Sequence, residues 1–291
     1  MNTERAKSLY AGRKLSEGFP DLEALGVKAF AAQQAQTTNA PRTVACIERE
    51  IGLPEGNRAV IIVGCGPNPA SVKALLELGY DAKGVEPVAG HVAHAQEWLG
   101  DPTTIKQGSA ESLPFEDGSQ AIVLIESVLE HVDSPIRSIQ EAYRVLAPGG
   151  VAYVQTTNRL RFSLTGDNGE YNVPFLNWMP GVVKEAFVHH HLHFDPTLAN
   201  FTPRPAYHWF SYPDLCKLGR DAGFYQFYSK LDLISPDDPA LSRGGLRAKL
   251  LNRFRYNPWL RSLALAQFGD TIFMLKRPTS GRHGNSPTQS C

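Results

Sequence analysis

The chain has 291 residues with 29 Lys+Arg against 29 Asp+Glu, a formal net charge of zero and a pI near 7.1, so no long-range field draws it to nucleic acid or an acidic membrane. Its 42% hydrophobic content suits a globular protein, and no segment approaches the roughly 18 apolar residues of a membrane span. Four scattered cysteines (Cys46, Cys65, Cys216 and Cys291) without C-x-x-C spacing read as reduced thiols rather than a disulfide framework or zinc site, and the N-terminus lacks an apolar secretory core, so a soluble, cytoplasmic protein is expected.

Residues 1–56 read as an N-terminal helical leader, with helical patches at 21–25 and 43–51, the second closing at Gly52 and Pro54. Ala59 to Val63 is a short β-branched run of the kind buried on both faces of a parallel sheet. It breaks into Gly64-Cys65-Gly66, where the glycines permit a sharp turn and a close ligand approach. A helix over 69–79 then points its first N–H groups back at that turn, which favours an anionic or strongly polar ligand. Glu86 ends the next apolar segment, 20 residues after Gly66, where a carboxylate can accept hydrogen bonds from a ribose diol. The pair implies an adenosine-type cofactor, a dinucleotide or S-adenosylmethionine.

Further along come Gln107-Gly-Ser-Ala-Glu-Ser-Leu-Pro-Phe-Glu-Asp-Gly-Ser119, the apolar run Ala121 to Ile125, Glu126-Ser-Val-Leu-Glu-His-Val132, and Leu146-Ala-Pro-Gly-Gly150. Ser134-Pro135 supplies an N-cap and first-turn proline for a helix whose apolar positions are Ile139, Tyr143 and Leu146. From Ala59 to Thr157 strand and helix are expected to alternate five times, which requires parallel strands with right-handed crossovers. Residues 159–208 are irregular but rich in proline, aromatic residues and histidine, with a helical hint at 182–187; they read as a substrate cap over the carboxyl ends of the strands. Ser211 to Phe224 restarts the pattern as a capped helix ending at Gly223 and leading into a sixth strand. A second insertion, 234–268, carries Arg247, Lys249, Arg253, Arg255 and Arg261 among apolar positions, either as a solvated basic helix face or as a membrane- or phosphate-binding surface. Residues 269–276 form the last strand, and 279–291 read as a disordered tail.

Over about residues 58–158 these motifs resemble the class I S-adenosylmethionine-dependent methyltransferases of the type 11, ubiquinone-biosynthesis-like group. The resemblance implies an α/β, Rossmann-like, doubly wound and mostly parallel seven-stranded sheet whose last strand is antiparallel, in a methyltransferase domain over 57–278, with the leader covering the entrance. It implies that Gly64, Cys65 and Gly66 approach the amino-acid half of S-adenosyl-L-methionine and that Glu86 holds the ribose. Ser109, Ala110 and Glu111 would edge the adenine, and Glu126 would face the methionine moiety. Two positions depart from the family pattern: Asn68 replaces a third glycine, which Asn's tolerance of left-handed backbone accommodates, and Ser109 replaces an aspartate, which weakens the adenine contact. Each residue also has a plainer reading, the glycines as a tight turn, Cys65 as a small filler and Glu111 as a loop carboxylate.

Transfer to a hydroxyl or ammonium calls for in-line alignment and a proton acceptor. Candidate bases are His131, on the rim after the fourth strand; His191 within His189-His-His-Leu-His-Phe-Asp195, whose alternate residues could also form a metal array; and His208, before the restarted helix. No metal is assigned, and each histidine could equally be a packing residue. The expected function is methyl transfer to a small-molecule acceptor, on oxygen of a sugar or a phenolic or polyketide metabolite, with no nucleic-acid partner. The alternatives are nitrogen or carbon methylation of a lipid-like acceptor, a non-catalytic S-adenosylmethionine-binding regulator, and a nicotinamide oxidoreductase.

Overall fold

The computed structural model describes residues 38–162, 171, 173–188, 206–233 and 252–279. Seven strands form one sheet: β1 (Ala59–Val63), β2 (Asp81–Glu86), β3 (Ile105–Gln107), β4 (Gln120–Glu126), β5 (Leu146–Gln155), β6 (Gln226–Tyr228) and β7 (Thr271–Leu275), in the order β3-β2-β1-β4-β5-β7-β6. β1 to β5 are mutually parallel, and β7 runs antiparallel to both neighbours. The strand order reverses between β1 and β4, which in a sheet of this kind opens a crevice at the carboxyl ends of those two strands.

Alternation along the buried strands feeds two layers. Ile61, Val63, Val123, Ile125 and Val154 pack with α4 (Pro135–Val145) and α6 (Tyr212–Ala222). Val60, Ile62, Ile122, Leu124 and Tyr153 pack on the other face with α1 (Ala40–Glu50), α2 (Ala70–Glu77) and α3 (Ala89–Leu99). Further elements of the described chain are a 3₁₀ turn at Leu176–Trp178, α5 (Gly181–Phe187), α7 (Lys230–Leu233), helical residues at 252–256 and α8 (Pro258–Phe268).

Local chemistry accounts for most boundaries. At α6, the Ser211 hydroxyl accepts from Asp214 N–H at 3.4 Å and the Asp214 carboxylate accepts from Ser211 N–H at 2.8 Å, a reciprocal cap; Gly223, at φ 106°, ends the helix in the left-handed region that glycine tolerates. At α4 the expected serine cap is absent: the Ser134 side chain makes no capping bond, and its N–H instead donates to Glu111 Oε1 at 2.6 Å.

Three expectations are corrected. Strand and helix do not alternate between β3 and β4, where residues 108–119 cross as a loop; Arg144 of α4 replaces the missing helix by donating to the carbonyls of Leu113 and Phe115 (both 2.9 Å) and to Asp117 (2.6 Å). Cys216 is disulfide-bonded, whereas Cys46 and Cys65 take part in no disulfide. The basic positions of the second insertion are not all a solvated face. Arg261 pairs with Asp232 at 2.8 Å with side chains only 15% and 9% exposed, and Arg255 donates to the Leu231 and Asp232 carbonyls at 2.7 and 3.2 Å. The leader before residue 38 and the tail after 279 lie outside the described residues. No helix among the described residues is long and apolar enough to cross a membrane.

Candidate functional site

Four adjacent strands end at one place. Val63 pairs with Val85 and with Ile125, and Glu86 pairs with Gln107, so Gly64 after β1, Glu86 on β2, Ser109 after β3 and Glu126 on β4 share the carboxyl edge of the sheet. The turn after β1 is drawn towards β2: Gly64 and Cys65 N–H donate to the Val85 carbonyl at 2.8 and 3.2 Å, and Gly66 N–H donates to Glu86 Oε2 at 3.1 Å. Gly64 and Gly66 both take φ 68°, the region where side chains are strained.

Glu86 is 5% exposed, and its carboxylate is aimed by three groups. Besides Gly66, its Oε1 accepts from Val88 N–H and meets His91 Nδ1, both at 3.2 Å. A carboxylate offers about four acceptor positions, so the group is oriented without being saturated. His91, the first-turn residue of α3 that steadies Glu86, carries no sequence signal beyond its spacing of five residues from Glu86. Cys65 is buried, and burial pushes its thiol far above the range in which it would ionise, with the Glu86 charge adding to the effect. It is a packing residue against Gly84.

Ser109 and Ser112 close a tight bridge directly after β3, which leaves Ala110 buried against the core cluster. Glu111 is tied to α4 through Ser134 and is no freely solvated carboxylate. Glu126 ends β4 half-buried; burial raises its carboxyl above the usual range, and Lys230 pulls the other way. Ser127, next to it, holds φ 53°, an unusual backbone for a non-glycine residue at the mouth of a crevice.

Beyond β4, the turn carrying His131 grips the strap 206–210. The Glu130 carbonyl accepts from Tyr207 and His208 N–H at 2.8 and 3.2 Å, Thr157 Oγ1 donates to the His208 carbonyl at 2.9 Å, and Asn158 bridges Phe210. The His208 ring reaches back so that Nε2 lies 3.0 Å from the Val132 carbonyl, which can only accept; Nε2 therefore carries the proton and Nδ1 is the basic atom. His131 and His208 thus stand on two touching segments at the carboxyl end of β4 and β5. Glu130 was not singled out from the sequence. It is 2% exposed, accepts from Thr156 Oγ1 at 2.7 Å, and burial pushes its carboxyl up to about 7 against that bond. His189, His191, His193 and Asp195 lie outside the described residues, and no group of His, Cys, Asp and Glu able to hold a metal occurs among the described ones.

Thr38 Oγ1 lies 2.7 Å from Ser71 Oγ, which puts the start of α1 beside the start of α2. The described end of the leader, α1, packs on the sheet face with Ala40, Val44 and Ile47 in the core.

Residues 61–154 match the family model described as "Methyltransferase domain". That span is a methyltransferase domain. It coincides with β1 to β5, the part of the sheet that carries Gly64, Glu86, Ser109 and Glu126. Among curated proteins, an uncharacterized methyltransferase of Mycolicibacterium gilvum is 36% identical over 107 residues, covering 36% of this chain and 42% of the relative. A ubiquinone biosynthesis O-methyltransferase of Azorhizobium caulinodans is 32% identical over 127 residues, covering 42% of this chain and 48% of the relative. The chain thus spans less than half the length of these curated relatives. A crystal structure from Thermotoga maritima, described as an S-adenosylmethionine-dependent methyltransferase and possible histamine N-methyltransferase, is 25% identical with a TM-score of 0.41, covering 65% of this chain and 71% of that one.

Proposed function

We propose that the chain transfers a methyl group from S-adenosylmethionine to oxygen of a small acceptor, a sugar or a phenolic or polyketide metabolite. The observation that carries the reading is the Gly66–Glu86 contact, which joins the glycine turn and the acidic strand end into one buried, oriented acceptor of hydrogen bonds. The residues present fit the cofactor: the bare backbone at Gly64 to Gly66 leaves room for its amino-acid half, Glu86 accepts from the ribose, Ser109 and Ala110 edge the adenine, and Glu126 faces the methionine end. When bound, S-adenosylmethionine supplies an electrophilic methyl on a sulfonium, whose positive charge a carboxylate at the Glu126 position favours.

The chain's own part is then alignment and proton removal. The strap 206–210, fixed to the Glu130 and Thr157 positions, holds His208 with Nδ1 as the proton acceptor, and His131 lines the same rim. The O-methyltransferase of A. caulinodans supports oxygen as the acceptor atom. Methylation of nitrogen or carbon on a lipid-like acceptor is a second reading, favoured by the half-exposed rings of Phe162, Phe175 and Trp178.

The test is calorimetric titration with S-adenosylhomocysteine, followed by turnover of labelled S-adenosylmethionine against phenols and sugars with wild type and His208→Ala. A loss of roughly 10²- to 10⁴-fold in kcat with unchanged cofactor affinity is the expected signature of a proton acceptor. Absence of cofactor binding would end the reading.

A further inference from the structure

The α1 face of the sheet ends in a polar row. Glu126 pairs with Gln155 across β4 and β5, and Gln155 pairs with Thr271 across β5 and β7. Two positions deeper in the same strands stand Leu124, Tyr153 and Phe273, all buried in the layer beneath α1. Strand alternation therefore turns Glu126, Gln155 and Thr271 to that same face, at its carboxyl edge.

A charge pair closes the row. Asp270 accepts from Thr271 Oγ1 at 2.9 Å and lies 3.8 Å from Lys230 Nζ. Lys230 is the first residue of α7, and its place is pinned: Asp232 Oδ2 accepts from both the N–H and the hydroxyl of Ser229 at 2.7 Å, while Arg261 of α8 pairs with the same carboxylate. The Tyr153 hydroxyl points along the row at Gln155 Oε1, 3.5 Å away. Burial raises this phenol and the Glu126 and Asp270 charges raise it further, so it stays protonated.

The titratable and charged groups around Glu126 among the described residues are thus Tyr153 from β5, Asp270 before β7 and Lys230 from α7, with the uncharged Thr43 of α1 against Tyr153. Lys230 is the cation of this set. Neighbouring strands lie about 4.8 Å apart, so the row from β4 to β7 spans about 10 Å, one Debye length at 0.1 M salt. Glu126 is half-buried, and burial favours its neutral form, which would put no charge opposite a sulfonium; the Lys230 ammonium favours the ionised form.

We propose that Lys230 is a positioning residue of the cofactor site: from across the row, its cation keeps Glu126 ionised for the sulfonium of S-adenosylmethionine. The inference rests on the placement of Glu126 at the methionine end, and it adds to the site a residue from outside the matched span of residues 61–154.

The Lys230 cation acts in two opposed ways, and pH separates them. It repels a sulfonium at every pH, whereas its support of the carboxylate counts only where Glu126 would otherwise take up a proton. S-adenosylhomocysteine is the control, because its thioether is neutral and the rest of the molecule is the same.

Calorimetric titration of the full chain with S-adenosylmethionine and with S-adenosylhomocysteine at pH 6, 7 and 8 gives the ratio of the two affinities for wild type, Lys230→Met, Lys230→Arg and Glu126→Gln. In Lys230→Met the ratio is expected to equal or exceed the wild-type ratio at pH 8 and to fall roughly threefold below it at pH 6, the effect of one partly screened charge at about 10 Å. Lys230→Arg should follow wild type, and Glu126→Gln should hold a lowered ratio that does not change with pH. A Lys230→Met profile parallel to wild type, or a loss of both affinities by the same factor at every pH, overturns the proposal. A Glu126→Gln ratio equal to wild type removes Glu126 from the sulfonium and takes the proposal with it. If neither compound binds the wild type, the cofactor reading itself fails, and this proposal with it.

Discussion

Gly64 and Val128 touch across the crevice: a Cβ built on Gly64 would overlap the Val128 Cγ2 methyl, in a residue already at φ 68°. The glycine turn after β1 and the turn after β4 are therefore packed against each other with no room for a side chain. Gly64→Ala is expected to cost about 1 to 3 kcal/mol of stability from left-handed strain and the displaced Val128. Gly64→Val is expected to abolish S-adenosylhomocysteine binding. Thermal melts and calorimetry check both, and a folded Gly64→Val protein with normal affinity would show that this turn is not the binding turn.

Glu86→Ala removes the carboxylate that Gly66, Val88 and His91 orient. Hydrogen bonds to a charged group of this kind are worth about 1.5 to 3 kcal/mol, so cofactor affinity should fall roughly 10- to 150-fold. His91→Ala, which leaves the carboxylate in place but removes one of its supports, should weaken binding by less. Equal losses from the two variants in calorimetry would assign the effect to folding of the α3 start rather than to ribose contact.

Glu130 provides a pH signature. Its folded carboxyl titrates near 7 against an ordinary value of 4.5, so between those values the native state holds a proton that the unfolded chain has released. Stability is therefore highest below about 4.5 as far as this group is concerned, declines as pH rises through the window, and is level above about 7, a change of about 3 kcal/mol. Glu130→Gln retains an acceptor for Thr156 Oγ1 but does not titrate. It is expected to melt higher than wild type at pH 8 and to show a flatter dependence between pH 5 and 8. Parallel melting curves for the two proteins would remove Glu130 as the source.

The Arg261–Asp232 pair closes α8 onto α7. Burial raises the Asp232 carboxyl, but its bonds from Arg261 and Ser229 outweigh burial and hold it below the usual range. Arg261→Ala leaves that buried carboxylate without its cation, and a loss of about 3 kcal/mol is expected in denaturant unfolding. A loss under about 1 kcal/mol would mean that water replaces the guanidinium.

The sheet was legible because its signals are local. β-branched runs ending in Gly64 and Glu86, a proline at the start of α4 and a serine–aspartate cap at α6 each act within a few residues of chain. What escaped depends on partners far apart in sequence. Arg144 reads as one more helix arginine until its reach to Leu113 and Phe115, about thirty positions earlier, shows it standing in for a helix. Arg261 reads as solvated until Asp232 folds beneath it. Glu130 and His91 lie inside or beside recognisable motifs, but only burial and the Thr156 and Glu86 contacts distinguish them from ordinary polar residues.

The antiparallel strand between β5 and β6 has a bearing on synthesis. β7 pairs Thr271–Leu275 with Val151–Gln155 on one side and Gln226–Tyr228 on the other, so β6 has no place in the sheet until the last strand has been made. From Gln155 to Leu275 is 275 − 155 = 120 residues of chain. At about 5 to 20 residues per second, the β5 edge waits roughly 6 to 24 seconds on the ribosome for its partner. Until β7 is made, the side of β5 at Val151 to Val154 that β7 covers in the folded sheet has no strand partner, and an unpaired edge of this kind is one that other unfinished chains can adopt as a template.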